Sequence, residues 1–365
     1  MADQTIVKGY ELENDFYNLS GGAQWTFAKK DGKKWFIKRF KDPVCPNDTD
    51  SYSEDMIREK RAAGIKFYKN KRAVYDAVND CDNGNIVTIQ DFFLWKCRYH
   101  VVTERIDAEN IDVKDIAALP QDEKYLLLKT LALNMMRLHQ KKLIYADIRP
   151  DNILFKRSKG GKLVAKLIDF DGCYFEYDPP EVKGIPLSEP YIAPETGRVV
   201  FDGEELHLTT KVDVFSLGLL FHLYWTGQMP DFDEDEYGFA FGALLDGGSL
   251  RVSGDIPPRL AALIRMMLLK EPADRPDMSY VLQELKRITG DVDAVKPAPA
   301  PAPGAVKKSS FTTTIRMSSK GPAKSDGSVI ILPERLPRSG EAPEEAPPEP
   351  EKKSDSSLFY IPTDF

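Results

Sequence analysis

Residues 143–155 read Leu-Ile-Tyr-Ala-Asp-Ile-Arg-Pro-Asp-Asn-Ile-Leu-Phe, and Asp169-Phe170-Asp171 follows beyond a short hairpin pattern. This order constrains the fold more than any other stretch of the chain. An aspartate, an asparagine shortly after it and a second aspartate past a strand pair are brought together on two adjacent loops. Oxygen-bearing side chains so arranged suit metal-assisted phosphoryl transfer. One carboxylate orients an attacking hydroxyl, while an amide and a second carboxylate hold Mg²⁺ on nucleotide phosphates. An Asp ahead of a proline-containing loop is ordinarily a turn former. The spacing from Asp147 to Asn152, with Asp169 beyond the hairpin, argues against that reading here.

The rest of the chain is sized for such a site. Its 365 residues, 42% hydrophobic, suffice for a sizeable core. A net charge of −7 speaks against nucleic-acid binding. Cys45, Cys81, Cys97 and Cys173 are scattered with no CxxC pair, so neither a disulfide framework nor a zinc site is expected, and a reducing, cytoplasmic setting fits. Met1-Ala2-Asp3-Gln4 lacks the basic and apolar regions of a signal peptide. The longest apolar run, Val214 to Trp225, is interrupted by Ser216 and His222. It predicts a buried helix and no membrane span.

Composition shifts near residue 290 to alternating Pro and Ala, then Ser/Thr/Lys, then Glu/Pro. Such a segment buries too little apolar surface to offset its ordering entropy, which predicts a disordered tail over 291–365. Before it, residues 1–106 read as a small β-rich lobe and 107–290 as a larger helical lobe, an α+β arrangement with a cleft between the two. Strands are expected over 10–19, 24–40, 86–93 and 98–103, with Asp31-Gly32 as a tight hairpin turn. A charged helix over 53–79 carries an apolar stripe of Ile57, Ala63, Phe67, Val74, Tyr75 and Val78. Further helices are predicted over 121–140, 211–226, 258–269 and 277–288.

Taken in order, these segments resemble the eukaryotic-like (Hanks-type) serine/threonine protein kinase superfamily over about residues 10–290. The resemblance implies a bilobal fold, an ATP and Mg²⁺ requirement and a protein substrate with a Ser/Thr acceptor. Lys38 in Trp35-Phe36-Ile37-Lys38 matches the family's phosphate-contacting strand lysine, and Glu59 is the first choice for its helix partner, with Glu54 the competitor. Gly21 and Gly22 stand in the place of the phosphate-covering loop, although the family's GxGxxG is not intact and a plain Gly-Gly turn reads almost as well. Val102 to Ile106 resembles the hinge, with the backbone of Glu104 and Ile106 on adenine and Thr103 as gatekeeper. Asp147 matches the catalytic aspartate, Arg149 the lysine beside the transferred phosphate, and Asn152 and Asp169 the metal-binding pair. Ser188 takes the place of a threonine that contacts the catalytic aspartate, Glu195 is expected to pair with Arg275, and Asp213 to anchor the catalytic loop.

Departures accompany the resemblance. Tyr145 and Ala146 replace the His and Arg of the HRD motif. A phosphate on the activation segment would then lack its usual receptor, which predicts phosphorylation-independent activity. Asp171 replaces the DFG glycine and reads equally as an added carboxylate near the metals or as a surface acid. Phe36 replaces the small residue above adenine. Ser309 to Met317 is a hydroxyl-rich island, predicted either as an inert linker or as an autophosphorylation site docking a phosphothreonine-reading (FHA-type) partner through Thr312. Two alternatives stand beside the protein kinase reading: a pseudokinase scaffold, favoured by Tyr145 and Ala146, and a small-molecule phosphotransferase, disfavoured by Glu195, Asp213 and Arg275.

Overall fold

The computed structural model describes residues 5–18, 23–47, 51–158 and 160–291. Gly21, Gly22 and the predicted tail from residue 292 onward lie outside the described residues. The described chain begins with strands β1 (Ile6–Val7), β2 (Tyr10–Leu12), β3 (Tyr17–Asn18), β4 (Ala23–Lys30) and β5 (Lys33–Phe40). After a long helix α1 (Glu54–Asn79) come β6 (Ile89–Trp95) and β7 (Arg98–Glu104). These seven strands form one sheet in the order β1-β2-β4-β5-β7-β6, with β3 also on β4. Asp31 and Gly32 adopt left-handed backbone (φ 52° and 72°), the conformation their Asp-Gly chemistry predicts. Strand periodicity then sorts the side chains of β5. Ile37 is fully buried against Tyr10, Ala28 and Val102 on one face, which leaves Phe36 and Lys38 on the other.

Helix α1 starts where Ser53 accepts a hydrogen bond from the Met56 amide, with Glu54 and Asp55 at its positive end. Its expected stripe holds only toward the C-terminus. Val74, Tyr75 and Val78 are buried, whereas Ala63 is exposed. Gly64 is buried instead, because a Cβ there would come within 2.7 Å of Cys45 Sγ. The strand predicted from residue 86 begins only at Ile89. Asn79 fixes that start, its side chain bonding both the Ile89 amide and carbonyl at 2.9 Å. Ile86 and Val87 serve a different purpose. Val87 N–H donates to Leu167 O (2.9 Å) and Leu167 N–H to Asn85 O (3.0 Å), which ties the sheet-bearing half to the helical half.

The helical half comprises α2 (Val113–Ala118), α3 (Gln121–Gln140), the pair β8 (Leu143–Ile144) and β11 (Tyr174–Phe175), and the hairpin β9 (Ile153–Arg157) and β10 (Leu163–Leu167). Then follow α4 (Pro194–Phe201), α5 (Lys211–Thr226), α6 (Glu234–Tyr237), α7 (Ala240–Leu245), α8 (Pro258–Met267) and α9 (Met278–Thr289). As its composition requires, α5 is buried all round, from Val212 to Trp225. Gly218 allows α8 to approach: a Cβ at 218 would meet the Met267 Cβ and Leu268 at 3.0 Å. One hydrophobic cluster runs from Phe40, Val74 and Phe92 in the first half through Leu138 and Phe170 to Leu285. Among the described residues no helix is long and apolar enough to cross a membrane.

Candidate active site

The loop after β8 carries Asp147, and Asp213 of α5 shapes it. The Asp213 carboxylate accepts from the amides of Tyr145 (2.8 Å) and Ala146 (2.9 Å) and meets His139 Nε2 at 2.9 Å. That grip holds Ala146 at φ 65°, a left-handed conformation an alanine adopts only when its surroundings impose it. Asn152, in the short turn Pro150–Asn152, donates from Nδ2 to the Asp147 carbonyl (2.9 Å) and to its Oδ2 (2.8 Å). Ser188 Oγ donates to Asp147 Oδ1. Both carboxylate oxygens of Asp147 are thus fixed in direction, one from within its own loop and one by the segment of Ser188.

Hairpin β9–β10 returns the chain to Asp169, which also has left-handed backbone (φ 56°). The Ile168 amide donates to Asn152 O (3.0 Å), so the two loops are stitched together. Tyr145 donates its hydroxyl to Ile168 O, and its ring packs edge-on against Phe170 at 5.3 Å. Gly172 is obligatory for space, since a Cβ would lie 2.8 Å from Pro186.

Lys38 reaches from β5 to this floor. Its ammonium lies 2.7 Å from Asp169 Oδ2 and 2.7 Å from Asp171 Oδ2. The expectation that Glu59 pairs with Lys38 is therefore corrected. Glu59 is exposed to solvent, as is its competitor Glu54. The α1 residues that do reach the site are Tyr75, whose hydroxyl donates to Asp171 Oδ1 at 2.7 Å, and Lys71, whose ammonium donates to Asp171 O. The surface-acid reading of Asp171 is likewise set aside. Burial alone lowers the affinity of Lys38 for its proton, but Asp171 and Asp169 outweigh it and hold the lysine above its ordinary value. Burial also raises Asp171, yet Lys38, Lys71 and the Tyr75 hydroxyl bring it below the usual carboxylate range. Asp169 ends above that range, through burial and the neighbouring Asp171 charge despite Lys38.

The remaining expected residues fall around this centre. Phe36 shares the cleft-facing side of the sheet with Trp25 and Phe27, the three rings lying 5.2–6.1 Å apart. Glu104 ends β7, where its carboxylate is taken by Lys166 of β10, and Ile106 follows half-buried. Arg149 binds Asp151 through Nε at 2.9 Å and stays half-exposed. Away from the chemistry, Arg275 and Glu195 form a bidentate buried pair at 2.7 and 2.8 Å. Sequence reasoning places Tyr75 on the apolar stripe of α1 but gives neither it nor Lys71 a part in the site. The available signal is their spacing with Val78, at i, i+4 and i+7, along the C-terminal turns of α1 where most of its burial lies.

The donor set suits a hard cation. Asn152 retains its amide oxygen after its NH₂ is used, and Asp169 supplies a carboxylate; both are oxygen ligands of the kind Mg²⁺ takes.

A small sheet over a helical half, with a lysine brought down onto paired acidic loops, is the two-lobed arrangement of the kinase fold. The sequence matches the protein kinase domain family over residues 56–285, and the chain belongs to that family. The match begins inside α1, so Lys38 and the five strands before it are placed by the structure. Among relatives, Calcium-dependent protein kinase 34 of Arabidopsis thaliana is 31% identical over 205 residues, 54% of this chain and 37% of that protein. Serine/threonine-protein kinase PkaA of Streptomyces coelicolor is 25% identical over 283 residues, 68% of this chain and 49% of the relative. Probable serine/threonine-protein kinase qkgA of Dictyostelium discoideum is 30% identical over 153 residues, 41% of this chain but 9% of its own length. The chain therefore spans less than half of each of these relatives.

Proposed function

We propose that this domain transfers the γ-phosphoryl group of ATP to Ser/Thr hydroxyls of proteins. The observation that carries the reading is Asp147 held by Asn152 on one oxygen and by Ser188 on the other. Asp147 would accept the acceptor hydroxyl's proton, and Ser188 would orient it while marking where the acceptor segment lies. Lys38 would hold the nucleotide phosphates, and the main chain at Glu104 and Ile106 would hold the base, the Glu104 carboxylate being already engaged. Asp169 and Asn152 would hold Mg²⁺, which when bound supplies neutralisation of phosphate charge. Arg149 would serve the phosphate only after leaving Asp151.

A protein acceptor is favoured over a small molecule because Glu195 and Arg275 brace the segment behind Ser188. The resemblance ties that device to protein kinases. The test is incubation of the purified chain with Mg²⁺ and labelled ATP, alone and with a generic protein substrate. Label on protein supports the reading; nucleotide binding without transfer supports a scaffold instead. The tail proposal concerns residues outside the described region and is decided by mass spectrometry, where no phosphate on 309–319 dismisses it.

A further inference from the structure

Helix α1 carries four acids, Glu54, Asp55, Glu59 and Asp76, and all four are exposed. None is available to steady the lysine in the cleft. The groups that α1 does send there are Lys71 and Tyr75, and both end on Asp171. We propose that Asp171 positions Lys38, in the role a helix glutamate would otherwise fill, and that α1 acts on the lysine only by fixing Asp171. This inference rests on the phosphotransfer reading.

The geometry favours a positioning residue over a metal ligand. One Asp171 oxygen faces Lys38 at 2.7 Å and the other accepts from Tyr75 at 2.7 Å, so the carboxylate is spanned between the two. Charge counting agrees. Lys38 and Lys71 are balanced by Asp169 and Asp171. With Asp169 engaged by a cation, Asp171 alone would remain to hold Lys38 in place. The backbone also permits a side chain here, because Asp171 is not among the residues with positive φ. The close approach to Pro186 falls on Gly172 instead.

The experiment compares the full chain with Asp171→Gly, Tyr75→Phe and the double variant Asp171→Gly/Lys71→Glu, which moves the carboxylate onto α1. Thermal melting checks that each folds. Steady-state kcat and KM for ATP are measured across a Mg²⁺ titration, and ATP affinity without Mg²⁺ by calorimetry. We expect Asp171→Gly to lose on the order of 10–100-fold in kcat/KM, as when a supporting partner is removed from a site. Added Mg²⁺ should not restore it, the double variant should regain part of it, and Tyr75→Phe should fall in between. Unchanged kcat/KM in Asp171→Gly, full recovery at high Mg²⁺, or a double variant no better than Asp171→Gly would each overturn the proposal. If the wild-type chain transfers no phosphate, it is the phosphotransfer reading that fails. The ATP affinities then decide the lysine question alone, equal affinities in wild type and Asp171→Gly overturning it.

Discussion

Tyr145 does two jobs at once: its amide is bound by Asp213 and its hydroxyl caps the carbonyl just before Asp169. Tyr145→Phe keeps the ring against Phe170 but orphans that carbonyl in a buried setting. We expect a loss of about 1–3 kcal/mol in denaturant unfolding. Asp147 is more demanding. Asp147→Asn keeps the shape: its oxygen can still accept from Asn152 while its NH₂ donates to Ser188 Oγ, reversing that bond. It removes the proton acceptor, so kcat should drop on the order of 10²–10⁴-fold with only a small change in melting temperature. Equal activity would remove Asp147 from the chemistry. His100 is built to respond to acid. It is buried between Phe93 and Phe16, donates from Nδ1 to Arg98 O (3.0 Å), and burial pulls its pKa down from 6.5 to about 4. The unfolded chain therefore binds this proton first. Stability falls as pH drops from about 6.5 toward 4, by up to about 3 kcal/mol. His100→Phe should flatten the stability slope between pH 6.5 and 5, above most carboxylate titration. Parallel slopes in the two proteins would refute this.

Among the elements, α5 and α8 are pressed together at Gly218. Gly218→Val should force them apart and destabilise by about 1–3 kcal/mol, seen as a lower urea midpoint. Most such elements were legible in the sequence. Helices α3 and α9, the Asp-Gly hairpin and the loops of Asp147 and Asp169 follow from periodicity and turn chemistry, and α5 from its long apolar run, all of which act locally. Helix α1 shows where that legibility stops. Its charges spread round every turn, so its acids look interchangeable, and only the docking of its last turns against Phe92 and Tyr99 selects Lys71 and Tyr75 for the cleft. Asp171 could not be assigned for the same reason. Its partners lie about a hundred positions away in sequence, and no local pattern encodes them. The buried pair of Glu195 with Arg275 was readable because both ends sit in recognisable motifs. Its partner-breaking variant Glu195→Ala should cost about 3–5 kcal/mol, since Arg275 would be left charged and buried.

At the scale of the molecule, the main hydrophobic cluster passes through both halves, and the segment Asn85 to Val87 is bonded to the helical half before the chain returns to the sheet. Unfolding should accordingly be concerted. Trp25, Trp35 and Trp95 report the sheet and Trp225 the helical half. Fluorescence of variants keeping one set or the other should give the same thermal midpoint, and separate midpoints would contradict a shared core. Activity should also survive phosphatase treatment, because Ser188 already meets Asp147 while Ala146 offers no guanidinium to a phosphate. A rate that collapses on dephosphorylation would exclude this.

The contact between Lys166 and Glu104 has a kinetic meaning. Glu104 lies where the chain crosses from sheet to helices, and Lys166 holds it from β10 while also touching Gly84 O at 3.4 Å. On the proposed function, a sheet rocking away to release a spent nucleotide would stretch this tether at the pivot. Residence time would then be tuned at a point remote from the proposed phosphate contacts: Lys166→Met should quicken nucleotide escape while leaving capture almost untouched, and an unchanged off-rate would refute this.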